Sequence, residues 1–188
     1  MGRVVVTEFL SLDGVFEDPG GSESFEHGGW SFKFDRGEDG NKFKFEELMA
    51  ADASLLGRIT YEGFAKAWPE REGEFADKMN GMPKFVVSTT MERADWNNTT
   101  IIRDRVPDEV ATLKSDHEGD LLIAGSGKLV RSLMEHDLVD EFRLMVFPLV
   151  LGKGRRLFDG ARLSSLRLTD MQQVGPDGVA ILTYEPAR

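Results

Sequence analysis

The sequence predicts an α/β fold whose central sheet is mostly parallel and ends in an antiparallel hairpin. Two observations carry that class. Between residues 53 and 136, short apolar runs rich in β-branched side chains alternate with helical patterns, as crossover connections between parallel strands require. From residue 141 onward the helical pattern stops. The last two strand-like runs, 166–174 and 179–184, flank Gly175-Pro176-Asp177-Gly178, a turn that makes them pair antiparallel. The length of 188 residues suits a single domain spanning 1–188.

The first strand is RVVVTEF, residues 3–9, β-branched and bounded by glycine and polar residues. An irregular stretch follows from Ser11 to Gly40, carrying Gly14, Gly20, Gly21, Gly28, Gly29, Gly37 and Gly40 among Phe16, Phe25, Trp30, Phe32 and Phe34. A loop of that length inside a domain is functional or disordered, and five aromatic side chains favour a functional one, either a lid or packing. Phe45, Leu48, Met49 and Asp52 then share one helical face. A buried strand at 53–56 ends at Gly57, and a helix over 58–68 is stopped by Pro69. Strands follow at 84–88 and 99–102, and a helix at 107–114 has proline in its first turn. A strand at 120–124 and a helix at 126–136, with Leu129, Val130, Leu133 and Met134 inward, complete the alternation. The long apolar strand 141–150 precedes the hairpin.

Composition excludes several classes of function. The absence of cysteine removes disulfides, thiolate metal sites and thiol nucleophiles, and His27, His117 and His136 are too isolated to form a metal site. No apolar run reaches membrane-spanning length, and Glu8 interrupts the first one where a signal peptide would have to continue, so a cytoplasmic protein is expected. The net charge of -10, without blocks of Lys or Arg, argues against a nucleic-acid surface. Residues 1–80 hold 17 acidic and 9 basic side chains, against 16 and 14 in the remainder, so an anionic ligand is expected to favour the second half.

Three features suit such a ligand. AGSGKL, 124–129, places a small-residue turn between a strand and a helix, where unpaired N–H groups and the helix dipole favour phosphate. Leu122 and Leu129 rule out a P-loop, and Val130 rules out the dinucleotide fingerprint. A plain tight strand-to-helix connection explains the turn equally well. LLGRITYEGF, 55–64, repeats the layout: Gly57 admits a ligand to the backbone, Arg58 offers a fork of donors and Thr60 a hydroxyl, although a capped helix with a surface arginine has the same pattern. Ser88-Thr89-Thr90 follows a third strand. All three lie at carboxyl ends of strands, where open α/β sheets bind ligands.

LLGRITYEGF, KFVVSTT, LLIAGSGKL and DLVDEFRLMVFPLVLGKG, in that order and preceded by SLDGVFEDPGG, resemble the dihydrofolate-reductase-like superfamily. The closest likeness is to the C-terminal reductase domain of the bifunctional riboflavin-biosynthesis deaminase-reductase, without the deaminase half. The resemblance covers nearly the whole chain. It implies a three-layer fold, a homodimer, and an NADPH-dependent reductase acting on a small heterocycle, as 5-amino-6-(5-phosphoribosylamino)uracil reductase does. The alternatives are a dihydrofolate reductase and a non-catalytic module that senses NADPH.

Carried over by position, the resemblance assigns Gly57, Arg58 and Thr60 to the pyrophosphate and the adenosine 2′-phosphate. Ser88 and Thr89 flank the adenosine, with Arg103 as a further 2′-phosphate partner, and Gly125, Ser126, Gly127, Lys128 and Leu129 wrap the pyrophosphate. Gly14, after the first strand, joins the cofactor set. The substrate-side candidates are Asp13, Asn41 and Phe45. Asp13 beside Gly14 is equally a turn-forming residue. Asn41 stands where folate reductases carry their carboxylate, Met82 and Met145 replace other folate contacts, and Ala124 replaces the glutamate usual in riboflavin-pathway reductases.

Overall fold

The valines of the first strand set the centre of the molecule. Residues Arg3–Ser11 form β1, and Val4, Val5 and Val6 have no exposed surface, because both faces of the strand are covered. The computed structural model describes residues 1–187. In chain order the remaining elements are α1 (Gly37–Ala50), β2 (Ala51–Gly57), α2 (Arg58–Ala67), α3 (Glu74–Gly81), β3 (Lys84–Val87), β4 (Thr99–Ile102), α4 (Val106–Asp116), β5 (Asp120–Ile123), α5 (Gly127–Glu135), β6 (Glu141–Phe147), β7 (Leu166–Val174) and β8 (Val179–Pro186), with a short 3-10 turn at Trp30–Lys33 before α1.

One eight-stranded sheet has the order β4-β3-β2-β5-β1-β6-β8-β7. The first six strands of that order are mutually parallel, and β8 pairs antiparallel with both β6 and β7. Helices cover both faces, giving three layers. Val5, Leu56 and Val86 pack beneath Leu48 of α1, Tyr61 of α2 and Met79 of α3. Val4, Val6 and Ile123 pack on Val110 of α4 and on Leu129, Val130 and Leu133 of α5. No helix among the described residues is long and apolar enough to cross a membrane.

Four departures from the sequence expectation stand out. The irregular stretch ends well before Gly40, since α1 begins at Gly37 with Glu38 and Asp39 in its first turn, where the helix dipole favours them. Its buried face carries Glu47 as well as Leu48, which blurs the apolar periodicity. Asp52 lies in β2 instead of on the helical face, and its carboxylate accepts the N–H groups of Glu118 and Gly119. α3, between Gly73 and Pro83, was not expected at all. β6 stops at Phe147, before Pro148, which has no N–H to continue a ladder.

Candidate active site

Strands β3, β2, β5 and β1 are adjacent and parallel, so Ser88, Gly57, Ala124 and Ser11 all emerge along one edge of the sheet. Two glycine turns interlock there. A Cβ added to Gly57 would collide with the side chain of Ser126, and one on Gly125, whose φ of 86° already disfavours any other residue, would collide with Thr60 Oγ1. Thr60 is buried accordingly. Ser126, at φ 71°, caps α5, and its Oγ accepts the N–H of Leu129. The N–H groups of Gly127 and Lys128, in the first turn of α5, have no helical acceptor.

The other cofactor candidates are less uniform. Arg58, first residue of α2, is exposed and pairs with Glu62 at 3.1 Å. Lys128 is exposed and makes no ion pair among the described residues. Leu129 lies in the core, so only its backbone faces the turn. Ser88 Oγ accepts the N–H groups of Thr90 and Met91, ordering the loop after β3, and Thr89 is exposed. Arg103 donates to the carbonyls of Met91 and Glu92, bracing that loop from β4's end.

Between β1 and β5 the sheet opens. β1 pairs with β5 only through Val6, but with β6 through Ser11, so residues 7–11 border a gap facing the 124–127 turn. Glu8 reaches across to that turn: the Gly125 N–H donates to its Oε1 at 2.6 Å. Only 6% of Glu8 is exposed, and burial pushes its carboxyl up to about 8, against the opposing pulls of the Gly125 N–H and Lys44. Sequence reasoning noticed Glu8 merely as a break in an apolar run. An acid inside VVVTEFL was the available signal.

The opposite face of β1 carries a polar cluster under α1. Glu47 Oε2 accepts a hydrogen bond from Thr7 Oγ1 at 2.9 Å and pairs with Lys44, while its Oε1 lies 3.6 Å from Arg143. Lys44 and Arg36 both lie over the ring of Phe9. Of the substrate-side candidates, Phe45 is half-buried on α1, and Asn41 is exposed, accepting a hydrogen bond from Arg36 at 2.7 Å.

Asp13 holds a different geometry. Its Oδ1 accepts Ser11 Oγ and the Leu151 N–H, and its Oδ2 accepts the Gly152 N–H and Arg156. Burial pushes this carboxyl up, but the hydrogen bonds from Ser11, Leu151 and Gly152 outweigh it and bring it down to about 2. The residue clamps the tip of β1, beside Gly14, to the segment after β6. The covering loop is anchored by the same segment: Glu17 and Glu23 pair with Arg155, and Glu26 with Lys153. Asp18, 2% exposed, gathers the N–H groups of Glu23 and Phe25. The loop lies close over the middle of α2 and the start of α5, since Ser22 Oγ stands where a Cβ on Gly63 would crowd it and the Phe16 ring does the same at Gly127. Four acidic side chains of the first half, Asp13, Glu17, Glu23 and Glu26, thus face the cations of the run 153–156.

Comparison with known proteins agrees with this architecture. The chain is 30% identical over 174 residues to the uncharacterized protein YwjB of Bacillus subtilis (strain 168), covering 92% of each. Its fold matches a Shewanella sp. PV-4 protein assigned provisionally to riboflavin biosynthesis, with a TM-score of 0.78 at 21% identity over 99% of both chains. It also matches the dihydrofolate reductase of Enterococcus faecalis, solved in complex with NADP(H), with a TM-score of 0.64 at 15% identity over 99% of this chain and 97% of that one. With residues 3–180 matching its family pattern, the chain belongs to the RibD C-terminal domain family.

Proposed function

We propose that the protein is an NADPH-dependent reductase that transfers hydride to a small heterocyclic substrate, by analogy with 5-amino-6-(5-phosphoribosylamino)uracil reductase. The observation that carries this reading is the interlock of the two glycine turns, Gly57 on Ser126 and Gly125 on Thr60. It brings the starts of α2 and α5 together at the edge of the sheet, with Arg58 and Lys128 one residue inside their respective turns. Two helix N-termini, free N–H groups and two cations suit a pyrophosphate.

When bound, NADPH supplies the hydride, and the protein's part is to position and enclose it. The N–H groups of Gly127 and Lys128, with Arg58 and Thr60, hold the pyrophosphate; Ser88, Thr89 and Arg103 lie toward the adenosine end. Residues 7–11 of β1, followed by Gly14, border the gap beyond the β1–β5 ladder, where the nicotinamide ring would lie. Phe16 and the covering loop exclude water from it. The heterocycle enters from the α1 side, past Phe9, Asn41 and Phe45. Dihydrofolate reduction has less support, because the exposed Asn41 stands where an acid is needed. The exposed outer strand β7, bearing Leu168 and Met171, supports a homodimer.

Parallel titrations with NADPH and NADH test the reading. Wild-type protein is expected to prefer NADPH, and Arg58→Ala and Lys128→Ala are each expected to weaken it about tenfold. Unchanged affinity in both variants would overturn the phosphate assignment. Binding without oxidation on any pyrimidine, pterin or flavin would point to a sensor.

A further inference from the structure

Glu8 is the buried acid that the proposed reaction leaves unexplained. Three other carboxylates are as deeply buried, and each is better satisfied: Asp18 accepts two N–H groups, Glu47 has Lys44 and Thr7, and Glu141 has Arg3 and Arg143. Glu8 has one N–H, from Gly125, and no ion pair among the described residues. Its Oε2 has no protein partner, and it is not among the sealed, unpartnered atoms, which are Glu47 Oε1 and Thr99 Oγ1. That oxygen is therefore not fully sealed from solvent.

The charged groups whose fields reach Glu8 are Lys44 from α1, Glu23 from the covering loop and Arg155 from the segment after β6. Lys44 is already paired with Glu47 and Arg155 with Glu23, so little net positive field remains to hold Glu8 ionised. Its position, across the gap from the glycine turn, is the place where a ligand's change of charge would be felt.

We propose that Glu8 is the proton-holding group at the nicotinamide end of the site: its carboxyl is protonated opposite the neutral reduced ring and ionised opposite the positively charged oxidised ring. This rests on the NADPH reading above and deepens it. On binding of the oxidised nucleotide the Glu8 O–H bond breaks, the proton passes to solvent, and the carboxylate faces the positive ring. During reduction, hydride brings two electrons to the substrate carbon and the nicotinamide is oxidised. The proton released by Glu8, which lies on the face of β1 away from α1, passes by way of water to the substrate heteroatom next to that carbon, and water restores it afterward.

NADPH and NADP⁺ themselves are the probes. In wild-type protein the ratio of the NADP⁺ to the NADPH dissociation constant is expected to fall as pH rises toward 8, by up to about tenfold per pH unit, and NADP⁺ binding near neutral pH is expected to release a proton that NADPH binding does not. In Glu8→Gln the ratio is expected to be flat and the proton release absent. Infrared spectroscopy of the ligand-free wild type should show a protonated-carboxyl band at neutral pH that disappears on titration to alkaline pH. A pH-independent ratio with both nucleotides bound, or proton release unchanged in Glu8→Gln, would overturn the role of Glu8 while leaving the cofactor reading intact. Failure of both nucleotides to bind would overturn the cofactor reading and this inference with it. The infrared and proton-release measurements on wild type decide the matter even if the variant does not fold.

Discussion

Replacing Glu8 with glutamine is expected to stabilise the protein progressively as pH rises from about 5 to about 8. Glu8 has an ordinary value of 4.5, and the fold raises it to about 8. Between those values the unfolded chain has released its proton and the folded one retains it. Wild-type stability therefore falls with rising pH by about 1.4 kcal/mol per unit across that window, with no further loss above about 8 and none below the unfolded value. Accumulated from 4.5, the cost is about 3 kcal/mol at pH 7. Glutamine keeps an oxygen for the Gly125 N–H and cannot ionise. Its amide makes an offset that does not vary with pH, so the slope is the test. Urea unfolding followed by fluorescence is suited to it, because Trp30 and Trp96 are buried. A difference between wild type and Glu8→Gln that stays level from about pH 5 to about 8 would refute the claim that Glu8 is folded in its protonated form.

Other outcomes follow from neighbouring geometry. Gly125→Ala meets both a positive φ and Thr60 Oγ1 and should cost about 2–3 kcal/mol, with weakened NADPH binding, measured by denaturation and calorimetric titration. Lys84, 1% exposed, donates to the carbonyls of Asn80, Met82 and Asn97; Lys84→Met should strand all three and lower stability by about 3 kcal/mol in urea unfolding. Asp13, held near 2 against an ordinary 3.8, stabilises the fold above 3.8, and that contribution disappears as pH falls through about 2. Acid unfolding of Asp13→Asn should accordingly depend less on pH in that window. Charging the outer strand with Leu168→Lys and Met171→Lys should convert a homodimer to monomer in sedimentation; an unchanged mass would remove β7 from the interface.

Much of the fold was legible locally. The alternation from β2 to α5 came from apolar periodicity, and the final hairpin from a Gly-Pro-Asp-Gly turn, both properties of neighbouring residues. α1 was only half visible, because its inward face includes Lys44 and Glu47, whose partners Thr7 and Arg143 lie far away in sequence. α3 is a short helix between breakers and carries too little periodic signal to stand out.

For the site, the sequence by itself determined the small residues and cations at the strand ends: Gly57, Arg58, Gly125, Gly127 and Lys128 announce their chemistry within a few positions. Only the tertiary structure decided which turns meet, that Asp13 clamps a loop, and that Glu8 sits at the glycine turn. The physical reason is that a carboxyl's role depends on the donors and dielectric around it. Those are supplied by residues that share no stretch of chain with it: Gly125 lies 117 positions from Glu8, and the strand order that joins them is a property of the assembled sheet.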